Sequence, residues 1–165
     1  MVDADQLPAL RALRADETEL LVRATLGNVN WSGPRFTVDQ VLRTPALVRY
    51  FEPWRGERDF GVVVEASPEG PVGVAWARYF TASDPGYGFV DEAIPEVSVW
   101  VAEARRGAGL GTRLLEALIQ EARSRDLPGL SLSVESGNPV RGLYERVGFE
   151  QAGSDFDSGT LVLRV

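Results

Sequence analysis

The spacing of apolar residues changes near residue 60 and divides the chain into two parts. Residues 1–58 favour helices with irregular breaks. An apolar stripe from Glu17 to Leu26 predicts a helix that ends at Gly27-Asn28, a pair typical of a helix C-cap. Thr37-x-x-Gln40 has the spacing of a capping box before a second helix. No opening strand is predicted in this part of the chain.

Beyond residue 58, apolar residues mostly alternate with polar ones, as in half-buried strands. One stretch differs, because residues 109–125 place their apolar side chains on one face of a helix. The predicted elements are, in order, a hairpin of residues 60–66 and 72–80 with its turn at 67–71, a loop at 81–95, a strand at 97–101, the helix at 109–125, a strand at 130–134, a short helix at 139–146, and strands at 149–153 and 160–165 around a turn at 155–159.

The strand–helix–strand order over residues 97–134 determines the predicted topology. A crossover of this kind makes its two strands parallel, whereas the flanking hairpins are antiparallel. The sequence therefore predicts an α/β fold, close to α+β, with a mixed and mostly antiparallel twisted sheet and helices on both faces. The chain has 165 residues and no internal repeat, which predicts a single domain over residues 1–165.

Composition narrows the chemistry that these elements can carry. Hydrophobic residues make up 44% and charged residues 25% of the chain, as in ordinary globular proteins, and no apolar run reaches the roughly 20 residues that span a bilayer. The acidic N-terminal stretch does not have the pattern of a secretory signal. The chain has no Cys and no His. We therefore expect cytoplasmic residence, no metal site, and acid–base chemistry from Asp, Glu, Tyr, a chain terminus or water.

Charge is distributed unevenly along the chain. The net charge of −7 comes from residues 59–165, where 16 acidic residues face 9 arginines, because residues 1–58 hold 8 of each. An acidic chain is a poor candidate for binding nucleic acid, and nothing in the pattern predicts membrane contact. A cationic partner suits it better.

A glycine-rich turn between the strand at 97–101 and the helix at 109–125 is the most informative local feature. Gly107, Gly109 and Gly111 alternate, so several backbone N–H groups can point into one concavity, to which the helix N-terminus adds its own free amides. With the neighbouring arginines, this arrangement predicts a diphosphate cradle. A kinase-type P-loop is excluded because the chain has no Lys, and the glycine spacing does not fit a dinucleotide-binding fingerprint.

Two motifs together resemble one family. Arg106-Gly-Ala-Gly109-Leu-Gly111 resembles Arg/Gln-x-x-Gly-x-Gly/Ala, the acyl-CoA pyrophosphate loop of the GNAT acetyltransferase superfamily. About 30 residues further on, residues 138–149 resemble its second signature, Asn-x-x-Ala-x-x-Leu-Tyr-x-x-x-Gly-Phe. The resemblance covers roughly residues 60–165 and includes the order of strands and helices. Arg141-Gly142 departs from it, because small or apolar residues are commoner there.

The resemblance implies an N-acetyltransferase that moves an acetyl group from acetyl-CoA directly to a primary amine in a ternary complex. It implies a central parallel strand pair that splays at the CoA site, residues 59–165 as the CoA-binding core, and residues 1–58 as a variable, helical, acceptor-side part. An N–H of Val99 or Val101 would face the acyl carbonyl, Asn138 would bind the pantetheine arm, and Tyr144 would protonate the sulfur. The phosphates would contact Arg105, Arg106, Gly107, Ala108, Gly109, Leu110, Gly111 and Thr112.

Glu96 is the predicted general base, acting directly or through water. It opens the strand after Pro95, as a Glu does in many members of the family that the chain resembles. Asp91 and Glu92 in the preceding loop are alternatives, and a purely structural role for Glu96 at the strand end stays open.

The acceptor is predicted to be a cationic amine with an apolar body. Five carboxylates and no basic residue lie between Asp84 and Glu103, and aromatic residues flank them. Trp31, Asp91, Glu92 and Glu96 are the candidate acceptor-binding residues, although a solvated acidic loop is an equal alternative. The chain could instead be a non-catalytic acyl-CoA sensor or an interaction module on the same fold. A homodimer is possible.

Overall fold

The computed structural model describes residues 8–54, 56–153 and 159–165. Seven strands in these ranges form one sheet in the order β1-β2-β3-β4-β5-β7-β6. The elements are β1 (Ala9–Ala12), α1 (Thr18–Val29), α2 (Val38–Arg43), α3 (Pro45–Val48), β2 (Phe60–Ala66), β3 (Gly70–Arg78), β4 (Glu96–Val101), α4 (Leu110–Ser124), β5 (Gly129–Ser133), α5 (Arg141–Arg146), β6 (Glu150–Gln151) and β7 (Thr160–Arg164).

The sheet is mixed and mostly antiparallel, as predicted. Only β4 and β5 run parallel, and their ladder consists of the single pair Glu96 and Ser131. Every other neighbouring pair is antiparallel, with β3 and β4 in register from Gly73 opposite Val101 to Arg78 opposite Glu96. Because β4 and β5 separate after one pair, the sheet is open between them.

Helices cover both faces of the sheet, which confirms that prediction. Successive side chains of β4 point to opposite faces. Val97 and Val99 therefore pack in the core under α4 and α5, whereas Trp100 packs in the second core under α1, α2 and α3. The apolar stripe predicted for α4 is buried in the first core: Leu110, Leu114, Leu115, Leu118, Ile119 and Ala122.

Two expectations for the first part of the chain are wrong. A strand does open the fold, because β1 pairs with β2. Its four residues are mostly exposed, so they carry no apolar alternation that could be recognised. Gly27 does not end α1, which continues to Val29. A Cβ at Gly27 would collide with the indole of Trp100, so this glycine allows the helix to pack closely on β4.

Other predicted elements are present, but some begin or end at residues other than those predicted. The capping box is formed, with Thr37 Oγ1 accepting from the Gln40 N–H and Gln40 Oε1 accepting from the Thr37 N–H. The short helix predicted from residue 139 begins at Arg141, and the strand predicted at 149–153 is confined to Glu150–Gln151. The predicted turn at 155–159 lies almost entirely outside the described residues. Among the described residues, no helix is long and apolar enough to cross a membrane.

Candidate active site

A cavity of about 740 Å³ opens where β4 and β5 separate. One end lies at the glycine-rich turn and the start of α4, and the other lies beneath the end of α1 and the loop that follows it. The residues predicted for the site that line this cavity are Trp31, Glu96, Val99, Val101, Arg105, Arg106, Gly107, Gly109, Leu110, Gly111, Thr112, Asn138 and Tyr144. Ala108, Asp91 and Glu92 do not line it.

The glycine-rich turn forms one end of the cavity. Gly107 and Gly109 have φ angles of 83° and 80°, in the left-handed region that glycine tolerates at little cost. Helix α4 begins at Leu110 without a side-chain cap, so its first N–H groups remain free for a ligand. An uncapped N-terminus of a 15-residue helix beside this turn is suited to a diphosphate. The residues at this end therefore fit the pyrophosphate of acetyl-CoA.

The two neighbouring arginines are not equivalent. Arg105 forms an ion pair with Glu69 at the β2–β3 turn. Arg106 donates from Nε to the Val101 carbonyl at 3.1 Å and has no carboxylate partner within the described ranges. Of these two arginines, Arg106 is therefore the one whose charge no carboxylate of the described residues neutralises.

The edge of β4 that faces the gap carries main-chain groups without strand partners. The Ala102 N–H donates to Val72 on β3 at 2.8 Å. Because main-chain groups alternate sides along an antiparallel pair, Val99 and Val101 direct theirs toward the gap. Neither residue pairs with β5 in the described sheet, so their N–H groups are available to a carbonyl oxygen there.

Tyr144 and Asn138 border the gap from the side of α5. The Tyr144 ring packs edge-on against Phe149, with ring centres 6.1 Å apart. Burial raises the pKa of Tyr144 to about 12, so the phenol stays protonated and can donate a proton. Its hydroxyl has no hydrogen-bond partner among the described residues. Asn138 Oδ1 accepts the Val140 N–H at 3.1 Å, which leaves the side-chain NH₂ to face a ligand.

Glu96 lies on the opposite face of the sheet from Tyr144. The residue is 4% exposed, and Oε1 accepts the Gly88 N–H at 2.7 Å. Burial raises the pKa of Glu96 to about 7, although hydrogen bonds from Tyr50 and Gly88 and the charge of Arg49 favour the ionised form. A carboxylate that titrates near neutral pH suits a general base. The gap between β4 and β5 thus has a potential proton acceptor on one face and a potential proton donor on the other.

Side chains from distant segments meet at the other end of the cavity, beneath the end of α1, which we call the acceptor end. Trp31 Nε1 and Arg35 Nη1 both donate to Glu135 Oε2, at 2.9 and 2.8 Å, and so join the loop after α1 to the segment after β5. Tyr50 and Tyr87 also line this end. Sequence reasoning misses Tyr50, Arg35 and Glu135, because no local motif marks them and they come together only through the fold.

The loop acids do not gather at the cavity. Asp91 caps a tight turn by accepting the Ala93 N–H at 2.7 Å, and Glu92 accepts the Ala82 N–H at 3.1 Å. Asp84 pairs with Arg49 at 3.1 Å. The structure therefore brings Glu96 and Trp31 into the cavity and leaves Asp91 and Glu92 outside it. No group of three or more potential metal-ligating side chains exists in the part of the chain that the structure describes.

Comparison with known proteins gives the class of the protein. Residues 27–149 match the acetyltransferase (GNAT) family, and the chain belongs to that family. Acetyltransferases of this fold use acetyl-CoA. The resemblance drawn from the two motifs is confirmed.

Particular relatives add detail. Two L-methionine sulfoximine/L-methionine sulfone acetyltransferases, from Pseudomonas paraeruginosa and Pseudomonas aeruginosa, are each 48% identical over 59 residues. This match covers 35% of the chain and only about a third, 34%, of the length of each relative.

Solved structures support the fold. A ribosomal-protein-alanine N-acetyltransferase from Brucella melitensis has a TM-score of 0.63 at 24% identity, over 95% of this chain and 99% of that one. A GNAT family acetyltransferase from Brucella melitensis in complex with acetyl-CoA has a TM-score of 0.61 at 15% identity, over 96% of this chain and 88% of that one. The predicted GNAT fold is confirmed.

Proposed function

We propose that this protein transfers an acetyl group from acetyl-CoA to a primary amine by direct attack within a ternary complex. The observation that carries the proposal is the gap between β4 and β5, with Glu96 on one face and Tyr144 on the other. The chain has no Cys, so no thiol can form a covalent acyl-enzyme intermediate.

In this proposal the base, the main-chain donor and the acid each have one role. Bound acetyl-CoA supplies the thioester carbonyl that is attacked and the thiolate that leaves. Glu96 takes a proton from the amine, directly or through water, so that the nitrogen lone pair is free to form the new C–N bond. The N–H of Val99 or Val101 donates to the carbonyl oxygen as negative charge develops there. Tyr144 donates its proton to the sulfur as the C–S bond breaks.

The end of the cavity at the glycine-rich turn, which we call the donor end, would bind acetyl-CoA, the donor of the acetyl group. Main-chain N–H groups of Gly107 and of residues 109–112, together with the charge of Arg106, would hold the pyrophosphate, with Arg105 as a second cation. The side-chain amide of Asn138 would hold the pantetheine arm.

We infer that the acceptor is a small amine that also bears a carboxylate. Glu96, Arg35 and Glu135 are charged side chains that line the cavity away from the glycine-rich turn. Arg35 has N–H groups beyond the one bound to Glu135, and a guanidinium recognises carboxylates well. The Pseudomonas relatives are named for amino acid derivatives of this kind. The positions of Asp91 and Glu92 give no support to a purely cationic acceptor.

Release of the CoA thiol from acetyl-CoA tests the proposal. The acceptor amines to be tested are L-methionine sulfone, L-methionine sulfoximine, common L-amino acids, an arylalkylamine, spermidine and a short peptide. We expect release with a carboxylate-bearing amine. We also expect Tyr144→Phe to lower kcat at least about tenfold, with the Kd for acetyl-CoA within about twofold of the wild-type value.

Two results would contradict the proposal. Tight acetyl-CoA binding without release for any of these amines would support the non-catalytic sensor. Unchanged kcat in Tyr144→Phe would remove Tyr144 from the reaction.

A further inference from the structure

Tyr50, which follows α3, is held rigidly beside the proposed base. The side chain is buried, its ring packs edge-on against Phe80 with centres 5.4 Å apart, and it stacks on Tyr87 at 6.3 Å. The Tyr50 carbonyl accepts the Trp76 indole N–H at 2.8 Å. Backbone and ring are therefore both fixed against the sheet, and the hydroxyl has little freedom of position.

The hydroxyl of Tyr50 and the carboxylate of Glu96 are held by two successive backbone groups. The Tyr87 N–H donates to the Tyr50 oxygen at 2.8 Å, and the Gly88 N–H donates to Glu96 Oε1 at 2.7 Å. The two oxygens therefore lie side by side, and because the Tyr50 oxygen accepts from Tyr87, its own proton is free to point toward the Glu96 carboxylate. A Cβ at Gly86 would collide with Glu96 Oε1, so the turn lies directly against the carboxylate.

We propose that Tyr50 is a positioning residue for the base, because its hydroxyl holds the Glu96 carboxylate oriented and ionised inside the cavity. The inference rests on the proposed function, in which Glu96 accepts the proton of the amine. Burial alone favours a neutral carboxyl group, whereas a donated hydrogen bond favours the charged form. Tyr50 itself does not ionise in the working range, because burial and the nearby Glu96 both raise its pKa.

Few other charges face Glu96. Arg49 lies beside Tyr50 and is paired with Asp84, and Arg78 lies opposite Glu96 on β3 and is paired with the buried Asp59. Replacing Tyr50 by Phe removes the hydroxyl and keeps the ring, the Gly88 contact to Glu96 and these ion pairs. Tyr50→Phe is therefore the informative variant. Tyr87→Phe is its matched control, since Tyr87 contributes its ring and its N–H to the network but not its hydroxyl.

The experiment measures kcat/KM from pH 5.5 to 9.5 with one acceptor amine, so that ionisation of the amine affects all variants equally. A base must be deprotonated, so kcat/KM rises with pH through the pKa of Glu96. We expect Tyr50→Phe to move this rise upward by about one pH unit. Activity would fall about tenfold at pH 6 and return close to the wild-type value at pH 9. Tyr87→Phe should leave the rise where it is.

A direct titration separates this inference from the proposed function. The Glu96 carboxyl signal, assigned with Glu96→Gln in protein labelled with ¹³C at glutamate side chains, reports its pKa without any turnover. A Glu96 pKa that is the same in Tyr50→Phe and the wild type overturns the inference, as does an equal loss of activity at every pH. A raised pKa without a shift in the rate profile would show that Glu96 is not the base, and would overturn both the proposed mechanism and the role of Tyr50.

Discussion

The two ends of the cavity are built from different kinds of chemical group. The donor end uses main-chain groups from one continuous stretch, residues 99–112, with Gly107 and Gly109 giving the turn its shape. The acceptor end uses side chains from four separate segments, represented by Arg35, Tyr50, Glu96 and Glu135. One end is therefore defined by backbone conformation and the other by side-chain identity.

This difference has a consequence for how each end responds to substitution. Main-chain amides persist through most substitutions, so the donor end changes only where a side chain disturbs the turn or removes a charge. At the acceptor end, one substitution can remove a proton acceptor or a recognition group and leave the sheet intact. Donor-end changes should alter affinity for acetyl-CoA, and acceptor-end changes should alter kcat, the pH profile or the choice of amine.

Glu96→Gln should have the largest effect on activity and sharpens the comparison most. The amide keeps the shape of the side chain and can still accept the Gly88 N–H, but it cannot accept a proton. We expect kcat to fall about 10² to 10³-fold near pH 7.5, with the Kd for acetyl-CoA within about twofold of the wild-type value. The rise of activity through pH 7 should disappear, and the deficit should narrow at high pH, where free amine is plentiful.

Thermal stability supplies an independent check on Glu96→Gln. Folding raises the pKa of Glu96 from 4.5 to about 7, so the wild type loses stability as pH rises through this interval. The amide variant avoids that loss and should be more stable above pH 7 by roughly 1–3 kcal/mol, with no difference below pH 4. A variant that is less stable, or whose activity deficit is the same at every pH, would indicate that Glu96 has a structural role only.

The same contrast explains how much the sequence could predict. The donor end lies within one stretch of sequence, so its motif predicts Arg106 and Gly109 by resemblance to the family, and the second motif predicts Tyr144 in the same way. All three line the cavity. The partners of Glu96 carry no such signal, because Tyr50 is 46 residues away in the sequence and meets Glu96 only where the segment after α3 packs on the sheet. Asp91 and Glu92 are close to Glu96 in the sequence, but turns direct them elsewhere.

Gly109→Ala should have the second largest effect, which is on affinity for acetyl-CoA, and it tests the donor end. Alanine at a φ of 80° is strained by roughly 1–2 kcal/mol, and the turn can relieve that strain by rotating its N–H groups away from the ligand. We expect the Kd for acetyl-CoA to rise about tenfold, measured by calorimetry, with the pH profile of kcat unchanged.

Gly70→Ala is the matched control for this substitution. Gly70 lies at the start of β3 with a φ of 86°, and, as at Gly109, a Cβ there would meet no atom within 4 Å. Both variants should lose similar stability, and only Gly109→Ala should lose affinity. Equal affinity in the two variants would show that the turn does not bind the cofactor through its backbone.

The smallest expected effect belongs to the arginines, and it is the one that could break the comparison. Arg106→Gln should raise the Kd for acetyl-CoA about fivefold and flatten its dependence on salt, because an unpaired cation beside the turn is removed. Arg105→Gln should change the Kd less than about twofold, since Glu69 already neutralises that guanidinium. The opposite order would mean that the Glu69 ion pair opens on binding. The donor end would then depend on side chains as the acceptor end does, and the contrast between the two ends would no longer be one of backbone against side chain.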